Sequence, residues 1–289
     1  MNESFIKVKR RQLNIIFTEA GVLNLSQLKS SRIKPVMERL KTDGKAHRTL
    51  NMYRATVNAF ANWLVEEEAA LEKHDLKRLP RLDEQADERH PRRPATDEQL
   101  RQLLDSVPKH RRFVYFAAAM TGLRRGELRQ IEKRDFNLPD EQLRVRAEVS
   151  KNRDEAILPL HQDMVVLLRD KLAGLNPTDR VFDPVPNILT LQRDLKKAGI
   201  EYKDENGKYL DFHSLRATFA TRLLRNGVHP SKAIRLTRHK SVKTLETYYD
   251  KLGLNDAEDA MGQLPGLGSA GSGDTEPTEG SDRQERIRE

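Results

Sequence analysis

The chain contains no cysteine, and this absence excludes more chemistry than any other compositional feature. Disulfide staples, thiolate zinc sites and a cysteine nucleophile are all ruled out, and a reducing compartment suits such a chain. Long apolar runs are missing as well, so no stretch could cross a bilayer. The opening MNESFIKVKRRQLNIIF scatters charges through its apolar positions, unlike a secretory leader. A cytosolic location is expected. No internal repeat is present.

What the chain does have is charge. Lys and Arg number 52 against 44 Asp and Glu, a net charge of +8, with 33% charged residues overall. The excess of positive charge favours a polyanionic partner. Interleaved acidic residues argue for folded, solvated faces over a disordered basic tail. With 289 residues and 37% hydrophobic content, the chain can build two small cores.

Hydrophobic spacing places the elements. In AHRTLNMYRATVNAFANWLVEEE the residues Leu50, Tyr53, Val57, Phe60 and Leu64 line one helix face. A second stripe runs through Phe5, Val8, Leu13, Ile16 and Phe17, and a third through Ile33, Val36, Met37 and Leu40 before Gly44. Residues 1–75 are therefore expected to form a small helical bundle. Residues 76–95 mix both charge signs with three prolines and read as a linker. It ends at Thr96-Asp97-Glu98-Gln99, a capping-box pattern that predicts a helix start and a second domain over residues 96–265.

That second domain is expected to open with helices from Asp97, across FVYFAAAM and after Thr121-Gly122. The alternation of QLRVRAEV, the polar turn SKNRD and the run EAILPL predict a small antiparallel sheet. Helical patterns resume in HQDMVVLLRDKL, NILTLQRDLKKAG, HSLRATFATRLLRNG and PSKAIRLTRH. The last 24 residues, 266–289, hold little to bury and are expected to be disordered. The fold class is thus mainly α with a small antiparallel β-sheet.

Four stretches hold candidate chemistry. In MTGLRRGELRQI, Arg124 and Glu127 are three apart at a helix start and share a face, as an ion pair would. In HSLRATFATRLL, His213 and Arg216 share one face while Leu215, Phe219 and Leu223 follow another, an arrangement suited to an anionic ligand. Lys151 stands where a strand enters a turn and could swing into a cleft. In HKSVKTLETYYDKL, His239 precedes the adjacent Tyr248 and Tyr249. A phenol with pKa near about 10 attacks only if a base takes its proton or cations stabilise the phenolate, and this chain has histidines and arginines for both. Periodicity alone does not choose between the two tyrosines.

The order of these pieces, Arg in TGLRRGEL, Lys in a β-turn, HxLR, then His followed nine residues on by Tyr, resembles the phage-integrase family of tyrosine site-specific recombinases. The step from Lys151 to Pro159 in KNRDEAILPL is similar too, and the likeness runs from about residue 5 to 265. It implies a helical core-binding domain and a catalytic domain that close as a C-shaped clamp on double-stranded DNA at a specific recombination site. It implies strand cutting through a 3′-phosphotyrosine and a Holliday junction, with no metal, ATP or other cofactor.

By the same resemblance Tyr248 is the nucleophile, and Arg124 and Arg216 clamp the nonbridging phosphate oxygens. Lys151 protonates the leaving 5′-oxygen, His213 acts as base, His239 donates to the phosphate, and Glu127 orients the cations. Such chemistry relies on positioning and charge stabilisation, which guanidinium forks supply. Arg48 and Arg54, by the long N-terminal helix, are candidate DNA-backbone contacts. A homotetramer on paired sites, a monomer or weak oligomer when free, accessory or directionality factors, a nucleoid-associated cytoplasmic location and no membrane partner are implied as well.

Two positions depart from the family pattern. Arg238 stands where Gly usually precedes the second histidine, and Ala217 where a His often follows the second arginine. Both bear on geometry and rate more than on reaction type. The chain starts almost at the first core helix, without the arm-binding domain that many phage integrases carry ahead of it. It either belongs to a simpler class or is a fragment. Type IB topoisomerase-like relaxation and a catalytically silent DNA-binding relative are the alternative activities, and delivery of the C-terminal segment in cis is favoured over exchange with a neighbour.

Overall fold

In a computed structural model, residues 3–150 and 153–239 are described. The chain forms two compact units, one of Met1–Arg112 with Pro186–Leu215, the other of Phe113–Val185 with the chain from Arg216 onward.

The three N-terminal stripes each become a helix: α1 (Glu3–Ala20), α2 (Ser30–Thr42) and α3 (His47–Glu66). Their apolar faces meet in one core, where Ile16, Ile33 and Leu50 are fully buried and Val57 nearly so. Burying a side chain of this size contributes about 1.5–3 kcal/mol before conformational entropy is counted. The α1 stripe fails at its start. Phe5 is 51% exposed and Val8 46%, and the Phe5 ring lies under the Lys9 ammonium, 5.3 Å from its centroid. The three-four spacing continues past the end of the core that would cover it.

Residues 76–95, expected as a linker, are tied to this bundle. Leu76 and Leu79 are buried in the same core, and Leu76–Arg78 and Gln85–Asp87 form single 3-10 turns. Ahead of them, the Asp75 carboxylate accepts from the Ser30 backbone N–H at 2.8 Å and from its hydroxyl at 2.6 Å, satisfying donors at the start of α2. Asp87 accepts likewise from the His47 N–H at 2.8 Å, at the start of α3. Polar, aperiodic composition here marks capping of other helices, not free chain.

The same unit holds α4 (Asp97–Ser106) and α8 (Ile188–Lys197), which pack together. The capping box at Thr96 forms as the sequence predicts: its hydroxyl accepts from the Gln99 N–H at 3.1 Å, and the Gln99 side-chain oxygen accepts from the Thr96 N–H at 3.2 Å.

In the other unit, FVYFAAAM lies in α5 (Lys109–Thr121), with Tyr115, Ala117, Ala118 and Ala119 fully buried. A single-turn helix, α6 (Arg125–Leu128), follows. Three strands, β1 (Phe136–Asn137), β2 (Gln142–Val145) and β3 (Ala156–Pro159), pair antiparallel in that order. Register sets Leu143 opposite Leu158 and Val145 opposite Ala156; Leu143, Val145 and Leu158 face inward while Ile157 is 61% exposed. The predicted hairpin is present, and β1, two residues long, extends it. Helices α7 (Gln162–Leu172), α9 (Phe212–Arg225) and α10 (Pro230–Thr237) follow the predicted patterns.

A candidate active site built on one buried carboxylate

The site begins where α5 ends. Thr121 turns its hydroxyl back to the Ala117 carbonyl at 2.6 Å, and Gly122 takes a left-handed conformation with φ of 62°. A Cβ at Gly122 would stand 2.6 Å from Cδ1 of Phe219, so both backbone and space demand glycine. Leu123, 1% exposed, anchors the turn and delivers Arg124 as the residue capping α6.

Glu127 sits at the third position of α6 and reaches back. Its Oε2 accepts from the Arg124 backbone N–H at 2.9 Å and its Oε1 from Arg124 Nη1 at 2.8 Å. Oε2 also accepts from Arg238 Nη2 at 2.7 Å. The carboxylate is 2% exposed. Burial pushes its pKa up, but the Arg238 charge, the Arg124 backbone N–H and hydrogen bonds from both guanidiniums together outweigh burial and hold it below its ordinary range. Glu127 therefore stays charged and fixes two arginines at once.

Arg216 is 1% exposed and lies deeper than a residue on a solvent-facing polar face. Its Nη1 donates to the Gly122 carbonyl at 2.6 Å and its Nη2 to the Thr237 carbonyl. These carbonyls close α5 and α10, so helix ends hold the guanidinium. Beyond Thr237 the chain turns through Arg238 in the left-handed conformation, with φ of 54° and ψ of 42°. The His239 N–H donates to the Ile234 carbonyl at 3.2 Å, completing a turn that glycine usually makes. The Thr237 hydroxyl donates to the Ala233 carbonyl at 2.7 Å, which leaves it to accept from His239 Nδ1 at 2.8 Å.

The structure thus brings Arg124, Glu127 and Arg216 together and adds Arg238, with His239 next along the chain. His213 is exposed in the first turn of α9. Lys151 and Tyr248 lie outside the described residues, as do Tyr249 and the tail over 266–289. Arg48 is exposed and Arg54 half-buried on α3, where both line an open groove with Asn51, Arg81 and Glu84; Arg54 Nε donates to the Leu79 carbonyl at 2.7 Å. Sequence reasoning missed the contact of Arg238 with Glu127. Its one visible signal was an arginine at a position where glycine is usual. Among the described residues no cluster of metal-ligating side chains is found, and no helix is long and apolar enough to cross a membrane.

The fold is mainly helical with a three-stranded antiparallel sheet, and it carries a buried carboxylate between two arginines. The model of the phage integrase family matches residues 94–253, more than half of the chain, and the chain belongs to that family. It is 34% identical over 130 residues to the tyrosine recombinase XerA of Saccharolobus solfataricus, an alignment covering 44% of this chain and 41% of that protein, so less than half of that relative's length is matched. It is 23% identical over 276 residues to a tyrosine recombinase of Thermosipho africanus, covering 86% of this chain and 88% of the relative.

Two solved structures share the fold. The Tn1549 transposon integrase in complex with transposon right end DNA superposes with a TM-score of 0.67 at 18% identity, covering 91% of this chain and 94% of that one. A lambda integrase dimer bound to a COC′ core site gives a TM-score of 0.67 at 19% identity, covering 86% and 89%.

Proposed function

We propose that this chain is a site-specific DNA recombinase that cuts and rejoins strands through a 3′-phosphotyrosine. The observation that carries the reading is the Glu127 carboxylate, which holds Arg124 in the TGLRRGEL turn within the span matched by the family. In the proposed step the Tyr248 oxygen bonds to the scissile phosphorus while the bond to the 5′-oxygen breaks. The phenolic proton passes to His213, and Lys151 supplies a proton to the departing 5′-oxygen. The phosphodiester is conserved as a phosphotyrosine, so the 5′-hydroxyl of a partner strand can attack it and restore the tyrosine without an external energy source.

Arg124 and Arg216 would meet the nonbridging oxygens, where charge must be held, and His239 would donate a further hydrogen bond. With its Nδ1 directed at Thr237, donation from Nε2 requires the imidazolium. Double-stranded DNA is the proposed substrate, with the Arg48 and Arg54 groove taking backbone phosphates. Support comes from the DNA held by the Tn1549 and lambda integrases named above. We propose assembly as a tetramer on paired sites, residues 1–75 serving as the core-binding part and 96–265 as the catalytic part, within the cytoplasm.

The test uses nicked suicide duplexes tiled across the DNA flanking the gene. A denaturation-resistant protein–DNA adduct is expected, lost in Tyr248→Phe and retained in Tyr249→Phe. An adduct that survives Tyr248→Phe refutes the nucleophile assignment. Absence of any adduct from the parent chain overturns the recombinase reading, and plasmid relaxation without joining of two sites replaces it with a topoisomerase-like one.

A further inference from the structure

We infer that Arg238 is a positioning residue for this site: through the shared Glu127 carboxylate it fixes the guanidinium of Arg124. The inference rests on the recombinase reading above and adds a residue that stands where the family usually has glycine.

The backbone argues first. A non-glycine residue in the left-handed region costs about 1–2 kcal/mol, and Arg238 adopts it with φ of 54°. Something must offset that cost, and the side chain shows what. Its Nη2 lies 2.7 Å from Glu127 Oε2, across 111 positions of sequence, with the side chain only 10% exposed. Among the described residues its buried Nε and Nη1 have no hydrogen-bond partner, so the carboxylate is the contact that holds it.

Charge counting gives the consequence. Facing Glu127 are Arg124 from its own turn and Arg238 from the end of α10. Arg216 reaches the carbonyl just before Arg238, and His239 follows it. One carboxylate thus serves two guanidiniums, each on a different side-chain oxygen contact, and the cluster keeps a positive excess for an anion. Arg124, with 23% of its side chain exposed, keeps an open edge for that anion. Without Arg238 the buried carboxylate loses its strongest charge partner and titrates at higher pH. Once protonated it no longer attracts Arg124 as an anion, and the guanidinium is freed to move.

The test compares Arg238→Gly, Arg238→Lys and the parent, each alone and in a Glu127→Gln background, on a suicide duplex that the parent cleaves. Glycine suits the left-handed turn, so Arg238→Gly removes the guanidinium without a backbone penalty. Single-turnover cleavage is expected to fall about tenfold to a hundredfold, the scale of a misplaced catalytic group. The acid limb of its pH profile is expected to move to higher pH, Arg238→Lys to restore part of both, and Arg238→Gly to cost little more once Glu127 is Gln.

An unchanged rate and acid limb in Arg238→Gly overturns the inference. A loss that is equal at every pH and adds in full to that of Glu127→Gln overturns it as well, because it then reflects folding alone. Should Arg238→Gly fail to fold, Arg238→Lys decides: a parental pH profile refutes the inference and an intermediate shift supports it. If the parent forms no adduct on any duplex, it is the recombinase reading that fails. The pairing is then still read without DNA, from whether the acid-side loss of thermal stability is smaller in Arg238→Gly than in the parent, since a folded Glu127 pKa nearer its unfolded value leaves less stability to lose.

Discussion

Replacing Gly122 by alanine should damage the protein far beyond the size of one methyl group. Gly122 has φ of 62°, where a Cβ costs about 1–2 kcal/mol, and the added atom would stand 2.6 Å from Cδ1 of Phe219. Real Cβ atoms do not approach a ring so closely, so Phe219 or the turn must shift, an overpacking cost of about 1–3 kcal/mol. The sum is a loss of roughly 2–5 kcal/mol, and it falls on the turn whose carbonyl accepts from Arg216 at 2.6 Å. Urea unfolding followed by circular dichroism measures it as a fall in midpoint at unchanged slope. Gly126→Ala is the matched control. That glycine lies in α6 with a negative φ, and a Cβ there would meet nothing within 4 Å, so alanine should be neutral or stabilise by up to about 1 kcal/mol. If Gly122→Ala costs less than about 1 kcal/mol, or no more than the control, the account of this turn is wrong.

Two further outcomes follow from the same geometry. Glu127→Gln leaves two guanidiniums facing a neutral amide in a site where the carboxylate is 2% exposed, and should cost about 3–5 kcal/mol in thermal unfolding. Because the folded pKa of Glu127 is depressed, its contribution is fully present above the unfolded value of about 4.3 and is lost as pH falls through the folded value, so the variant should show a flatter acid limb of stability. Thr96→Ala removes the hydroxyl that accepts from the Gln99 N–H and should cost about 1 kcal/mol by denaturant titration, with no change in cleavage rate per folded molecule.

How far the sequence could be read depended on the range of the interaction. Helices α2 and α3 were legible because Ile33, Val36, Leu50 and Val57 repeat at the helical period and bury on one face. The Thr96 capping box spans three residues, and β2 and β3 are successive strands that pair antiparallel across residues 146–155, so these too are local signals. The two-residue strand β1 and the inward turn of Leu76 and Leu79 have no period to detect. At the site, spacing paired Arg124 with Glu127 because they are one helical turn apart. It could not pair Glu127 with Arg238, or Arg216 with the Gly122 carbonyl, which are separated by 111 and 94 positions. For such contacts only chemistry out of place gives notice, as an arginine does where a glycine is usual.

The two carbonyls that hold Arg216 have a consequence for ancestry. By closing the ends of α5 and α10, this arginine serves the fold whether or not a phosphate ever arrives. On the proposed recombinase reading, a descendant that had lost strand cleavage would still be selected to keep it, since discarding it would leave the Gly122 and Thr237 carbonyls without this donor. In a drifting lineage, then, decay of the activity would be recorded first at positions that carry no such second duty. An intact arginine here would be the last trace to fade.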